Sequence, residues 1–258
     1  LATPREFAKA LETYLRPQTF AVGIKLLRNA ADAPAGVLSV SRSFRHKVAL
    51  CQTFGWARRN RITTAVFKED MNCPVGVAVM GLGKRPEYVL NGSNTIRRYC
   101  RTLEGAALTE REMNCFEIGA YAGLVVGPLD SCEFNPDLAI IYGNGLHMTR
   151  LIQAALYAKG GRFTVSVIPG AVCADALVPP VRDDRCSIGF PCWGDRIHEG
   201  TNENEILFSV PASRFDEIML GLKESHEAGM TVPVPLPTFY EPQSPPVYNQ
   251  YIKDMGIE

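Results

Sequence analysis

Cysteine is the residue type with the most chemistry to offer in this chain. Eight stand in 258 residues, at Cys51, Cys73, Cys100, Cys115, Cys132, Cys173, Cys186 and Cys192. Thiolates are soft ligands, suited to iron–sulfur clusters, zinc or copper(I). No two are spaced C-x-x-C, so a shared metal has to be gathered by the fold from separate segments. An even count allows disulfides, but a chain of this length needs no staples, and reduced thiols in a cytoplasm are the expectation. The competing account is that they are small buried residues, because free Cys is among the most buried types.

Other groups flank these thiols. Glu69 and Asp70 precede Cys73, and adjacent carboxylates at a strand end can act as acid or base or simply close a turn. Asp195 and Arg196 follow Cys192. A guanidinium there can bind a carboxylate or phosphate with two parallel hydrogen bonds, or pair with Asp195 or Glu199. Glu69, Asp70 and Arg196 are therefore the catalytic candidates. Gly143-Asn144-Gly145 follows an apolar run and opens a helical pattern, a place where a phosphate can rest on helix amides. The position that a dinucleotide fingerprint would fill with its third glycine is Met148, which argues against a dinucleotide. The histidines, His46, His147, His198 and His226, form no metal-type pair at helical spacing, and no nucleophile elbow supports a serine triad.

The elements that must position these groups can be read from pattern. Thr3, Pro4 and Glu6 start a helix with a capping box. Phe20 to Leu27, Ile62 to Phe67, Ala122 to Val126, Leu138 to Tyr142, Phe163 to Ile168 and Glu205 to Val210 read as strands. His46 to Asn60, Gly145 to Lys159 and a segment capped by Ser213 and stopped by Gly229 read as helices. From Thr231 the tail carries six of the 18 prolines and reads as an extended arm. Displacing the first half by 101 positions sets Leu50 on Leu151, Gln52 on Gln153, Arg61 on Arg162 and Thr63 on Thr164, and brings Cys73 to Cys173 after one deletion. This suggests a duplicated strand–helix–strand unit, spanning about 20–83 and 137–180. Such units favour parallel strands, with ligands beyond the strand C-terminal ends. The expected architecture is α/β: a mixed, mainly parallel sheet from two duplicated halves within a single domain over 1–230, with an arm over 231–258.

The stretch "CQTFGWARRNRITTAVFKEDMNCPVGVAVMGLG" from Cys51 resembles the ArCR family, domain of unknown function 169. That family shows Cys-Gln opening a helix, then Ala-Arg, a short strand and an acidic turn with Cys-Pro-x-Gly. "VVGPLDSCEFNPDLAIIYGN", "GAVCADALVPPV" and "CWGDR" resemble its later segments, so the likeness runs from about Phe20 to Gly221. Cys51, Cys73, Cys173 and Cys192 fall on these motifs. They are the candidate metal ligands, for a 4Fe–4S cluster or for zinc. Cys186 is the substitute should Cys51 be a core residue.

Twenty-seven basic and 27 acidic residues leave no net charge, which speaks against nucleic acid as a partner. No apolar run is long enough to span a membrane, and the first segment reads as an amphipathic helix and not as a signal peptide. Two functions compete. One is a cysteine-ligated metal or iron–sulfur protein, a redox enzyme of anaerobic metabolism with an electron-transfer partner or a small-molecule substrate. The other is a non-catalytic ligand-binding or assembly module with buried structural thiols. A homo-oligomer joined through the arm suits either.

Overall fold

The computed structural model describes residues 2–233 and 244–257. The helix α1 (Pro4–Tyr14) begins as its sequence requires: the Thr3 hydroxyl accepts from the Glu6 amide at 3.2 Å, and the Glu6 carboxylate accepts from the Thr3 amide at 2.8 Å. Next come β1 (Val22–Leu27), β2 (Leu38–Ser39), α2 (Val40–Phe44), α3 (Leu50–Asn60), β3 (Thr64–Phe67) and α4 (Pro74–Val79). The short α5 (Glu87–Leu90) and α6 (Leu103–Glu112) lead to β4 (Gly123–Pro128), β5 (Leu138–Gly143), α7 (Gly145–Leu156) and α8 (Val172–Arg182). Then follow β6 (Ser187–Gly189), a π-helical turn (Asp195–Glu199), β7 (Ile206–Pro211), α9 (Phe215–Glu227) and α10 (Asn249–Met255). The central part of the expected proline-rich arm, 234–243, lies outside the described residues.

The strands form one seven-stranded sheet in the order β2-β3-β4-β1-β5-β7-β6. Alternate side chains feed two cores. On one face Val22, Ile24, Val66, Val126, Ile140 and Leu207 pack against α3, α4 and α8. On the other, Ala139, Ile141, Phe208 and Val210 pack against α1, α7 and α9. The α/β class and the mixed sheet are as the sequence leads one to expect, but "mainly parallel" is corrected. Among the seven described strands only β2 and β3 pair in parallel, and every other strand pairing is antiparallel. The reason is physical: β4 and β5 are buried along their whole length because helices or loops cover both faces. A strand buried on both faces is an apolar run whichever way its neighbour points.

Two further expectations change. Phe163 to Ile168 is irregular, with Val165 and Val167 exposed. Its β-branched residues find no strand edge to pair with. The expected superposition of Leu50 on Leu151 also fails in space, since α3 and α7 lie on opposite faces of the sheet. Among the described residues no helix is long and apolar enough to cross a membrane.

The α7–α9 contact rests on one glycine. A Cβ at Gly221 would lie 2.6 Å from the Ala154 carbonyl oxygen and 2.7 Å from its Cα, so the helices would have to part. Gly221→Ala is expected to lower the unfolding free energy by about 1–3 kcal/mol through overpacking, despite the better helix propensity of Ala. Urea unfolding measures it, and a more stable variant would show that the helices do not meet here.

Candidate functional site

Four thiols arrive on four different elements of the same sheet face. Cys51 is the second residue of α3, and Cys173 is the second residue of α8. Cys73 is the N-cap of α4, and Cys192 lies in the turn before the π-helical segment. The contacts between their carriers bring them together. The Cys51 Sγ reaches the Gly194 carbonyl at 3.7 Å, and a Cβ on Gly194 would lie 3.9 Å from the Cys192 Sγ. On the other side α4 packs against α8. The electrostatics agree. Burial pushes the Cys51 thiol up, and the charges of Asp195, Cys192 and Cys73 push it further. Burial likewise raises Cys173 well above a free thiol, followed by Cys192, Cys73 and Cys51. Cys173 is buried and the other three are half-buried. Among the described residues, however, no group of three or more His, Cys, Asp or Glu side chains is drawn tightly enough to hold a metal ion as it stands.

Cys186 does not belong to this group. It sits in the core on the opposite face with Ile188 and Phe208, its thiol pushed up by burial to about 12. It is no substitute for Cys51. Cys132 donates to the Leu129 carbonyl at 3.3 Å, and Cys100 lies 3.2 Å from the Thr109 hydroxyl.

Beside Cys51 stands a charged cluster that the sequence pattern left unnoticed. Arg58 is fully buried. It donates to both Glu199 oxygens, the Nη2 bond to Oε2 being 2.9 Å. It also donates to both Glu205 oxygens at 2.6 and 3.0 Å, and to the Thr19 hydroxyl at 3.0 Å. Its guanidinium lies 3.9 Å over the Tyr142 ring. Burial works against the Arg58 charge, but the hydrogen bonds it donates to Glu199 and Glu205 outweigh it and hold the proton more firmly than usual. Burial would raise Glu205, and its bonds from Arg58 and the Asn202 amide bring it below its ordinary value. The signal was present in the sequence: Leu50, Phe54, Ala57 and Arg58 follow helical spacing, so a charge lies on the apolar stripe of α3. The Thr201 hydroxyl lies within hydrogen-bond reach of both Glu199 and Asp195. Asp195 is raised to about 7, first by burial and then, against its bond from Thr201, by the charge of Glu199. The other Asp195 oxygen and the Tyr142 hydroxyl are buried without a partner among the described residues.

The remaining candidates have local roles. Asp70 is fully buried and accepts from the Ser41 amide at 2.9 Å and the Phe67 amide at 2.8 Å, which closes the turn that delivers Cys73. Glu69 is exposed. Arg196 is exposed and donates to the Asn202 carbonyl at 3.0 Å. The Asn144 side chain accepts from the amides of Leu146 and His147 at 3.1 and 3.2 Å, so the Gly143-Asn144-Gly145 turn uses those amides to cap its own helix. Two clefts lie away from the thiols. One is lined by Leu11, Thr19 and Phe20, the other by Lys25, Arg28, Pro180 and Pro211.

Arg58→Met strands two buried carboxylates and is expected to cost about 3–5 kcal/mol in chemical denaturation, with recovery on adding Glu199→Gln and Glu205→Gln. An unaffected single variant would mean that the carboxylates reach water. The raised Asp195 makes a separate claim. A carboxyl that stays protonated in the fold stabilises it fully below its unfolded value of 3.8, and that contribution is lost as pH rises towards about 7. Asp195→Asn should therefore gain on the wild type across this window and hold its advantage above it, in thermal melts of metal-free protein. A constant offset between the two would rule out the shift.

An uncharacterised protein of Methanocaldococcus jannaschii is 28% identical over 218 residues, covering 83% of this chain and 91% of the relative. No solved structure matches. The family model described as uncharacterised ArCR, DUF169, matches residues 10–221, which take in all four thiols and the buried arginine cluster, and the chain belongs to that family.

Proposed function

We propose that Cys51, Cys73, Cys173 and Cys192 ligate a metal centre, with a 4Fe–4S cluster as first choice and zinc as second, and that the protein works in redox chemistry with an electron-transfer partner. The observation that carries this reading is the meeting of four thiols from four separate elements on one sheet face. Cys51 and Cys173, packed in this way, resist ionisation, because burial and the charges around them both oppose it. A bound cation reverses both terms, and binding then releases the thiol protons. Cys51 and Cys173 occupy the first turns of two 11-residue helices, where the helix dipole favours negative charge.

Four thiolates suit either a tetrahedral zinc ion or a cubane cluster. When bound, such a cluster supplies one-electron transfer. The chain's own residues hold the frame: Arg58 ties α3 to the segment that follows Cys192, and Asp70 closes the turn that precedes Cys73.

Anaerobic purification with metal and acid-labile sulfide analysis tests this. The expected result is a brown protein with about four iron and four sulfide per chain, the content of one cubane. Serine at Cys51, Cys73, Cys173 and Cys192 together should abolish the colour, and serine at Cys186 should leave it unchanged. A colourless wild type that binds neither iron nor zinc after reconstitution would overturn the proposal in favour of buried structural thiols.

A further inference from the structure

The sheet contains a twofold relation that the sequence does not display. In the central antiparallel pair, Gly23 faces Ala139, while Val22 faces Ile140 and Ile24 faces Leu138. The outer strands repeat the arrangement. The first residue of β1, Val22, faces the last of β4, Pro128, and the first residue of β5, Leu138, faces the last of β7, Pro211. The first residue of β3, Thr64, faces Val126, and the first of β6, Ser187, faces Ser209, each two residues before that proline. Even the hydrogen bond beyond the strand end recurs: the Leu129 amide donates to the Ala21 carbonyl at 2.8 Å, and the Ala212 amide to the Asp137 carbonyl at 2.9 Å. An axis through Gly23 and Ala139, normal to the sheet, therefore relates β1, β4 and β3 to β5, β7 and β6.

The same axis pairs the thiols. The helix before β3 is α3, and the helix before β6 is α8. Each has 11 residues, each has an alanine as N-cap, and each carries a cysteine as its second residue. The strands that follow read Thr-Ala-Val-Phe and Ser-Ile-Gly followed by Phe190. After each phenylalanine comes a turn with the second cysteine, Cys73 or Cys192, and then a short helical turn. The packing is crosswise, as a twofold requires: α3 meets the turn after Cys192, and α8 meets α4 after Cys73. Cys51 thus corresponds to Cys173, and Cys73 to Cys192. The expected match of Cys73 with Cys173 is replaced.

We propose that the metal centre is assembled from two equivalent half-sites, in which the helix-set pair Cys51 and Cys173 anchors the metal and the turn-set pair Cys73 and Cys192 forms the exchangeable side through which it enters and leaves. This rests on the thiolate-metal reading above. A thiol set into the first turn of a long packed helix has its position fixed by that helix. A thiol on a turn moves with a few backbone torsions. The neighbours of the turn pair lie nearer to water: Cys73 adjoins the exposed Asn72 and Pro74, and Cys192 adjoins the exposed Trp193 and the buried Pro191, while Cys51 shares the half-buried state of both. The helix pair adjoins Leu50, Val172 and Ala174, all buried.

Two measurements test the pairing. With iron or zinc, whichever the wild type carries, release to a chelator is timed for the four single serine variants. Cys73→Ser and Cys192→Ser should accelerate release alike, by about tenfold or more, while Cys51→Ser and Cys173→Ser should lose stoichiometric binding. Variants that group by half, Cys51 with Cys73 and Cys173 with Cys192, or four that behave alike, overturn the proposal. The second measurement needs no variant. On metal-free wild type, timed iodoacetamide labelling read site by site by mass spectrometry should modify Cys73 and Cys192 together, ahead of Cys51 and Cys173. Any other order overturns the pairing. A wild type that takes up no metal, yet shows this labelling order, sinks the metal reading and leaves the symmetry of the thiols standing.

Discussion

A guanidinium sealed from water has to find its compensating charge within the fold, and Arg58 finds it on the far side of the chain. Its partners Glu199 and Glu205 stand 141 and 147 residues away in sequence. The bond between them joins α3 to the connection between β6 and β7. Glu199 closes the π-helical turn that follows Cys192, and Arg58 ends the buried stripe of the helix that carries Cys51 in its first turn. One set of hydrogen bonds therefore links the elements that carry two of the four thiols. The desolvation cost of the three charges makes this a doubtful source of net stability. Its value lies in geometry: a slipped register would leave a charge buried and alone.

That charge cluster is one-sided, although the thiols obey a twofold. The position of Arg58 in α3 corresponds in α8 to Pro180, and α8 carries Pro179 and Pro180 in its interior. Asp195 and Tyr142 likewise lie beside Cys51. The surroundings of the two half-sites thus differ in charge and polarity.

How much of this could be read from the residues depends on the range of the interaction concerned. Local chemistry was legible: the Thr3–Glu6 box, the apolar runs of β4 and β5, the Gly229 stop and the turn-closing alternative for Asp70 all depend on neighbours within a few positions. Strand direction was not, because burial on both faces erases the alternation that would distinguish parallel from antiparallel. Phe163 to Ile168 shows the complementary limit, since β propensity needs a partner edge to become a strand. The four motif-borne cysteines lie on one sheet face, yet the correspondence between them was misjudged. The displaced alignment matched α3 to α7 by shared apolar spacing, whereas the true counterpart, α8, retains little beyond its Ala-x-Cys start. Arg58 was visible as a charge on an apolar stripe, but its partners, coming from so far along the chain, were not.

The two ends of the sheet carry a separate consequence. Its outermost strands, β2 and β6, have two and three residues, while β1, β4, β5 and β7 inside have six each. A long open border offers a template on which another polypeptide can add itself, and proteins commonly guard against this by clipping the border short. Here the long ladders are all internal, and what remains at either margin is too brief to nucleate fibrillar growth, so the apolar interior of the sheet is kept out of reach of neighbouring molecules at high concentration.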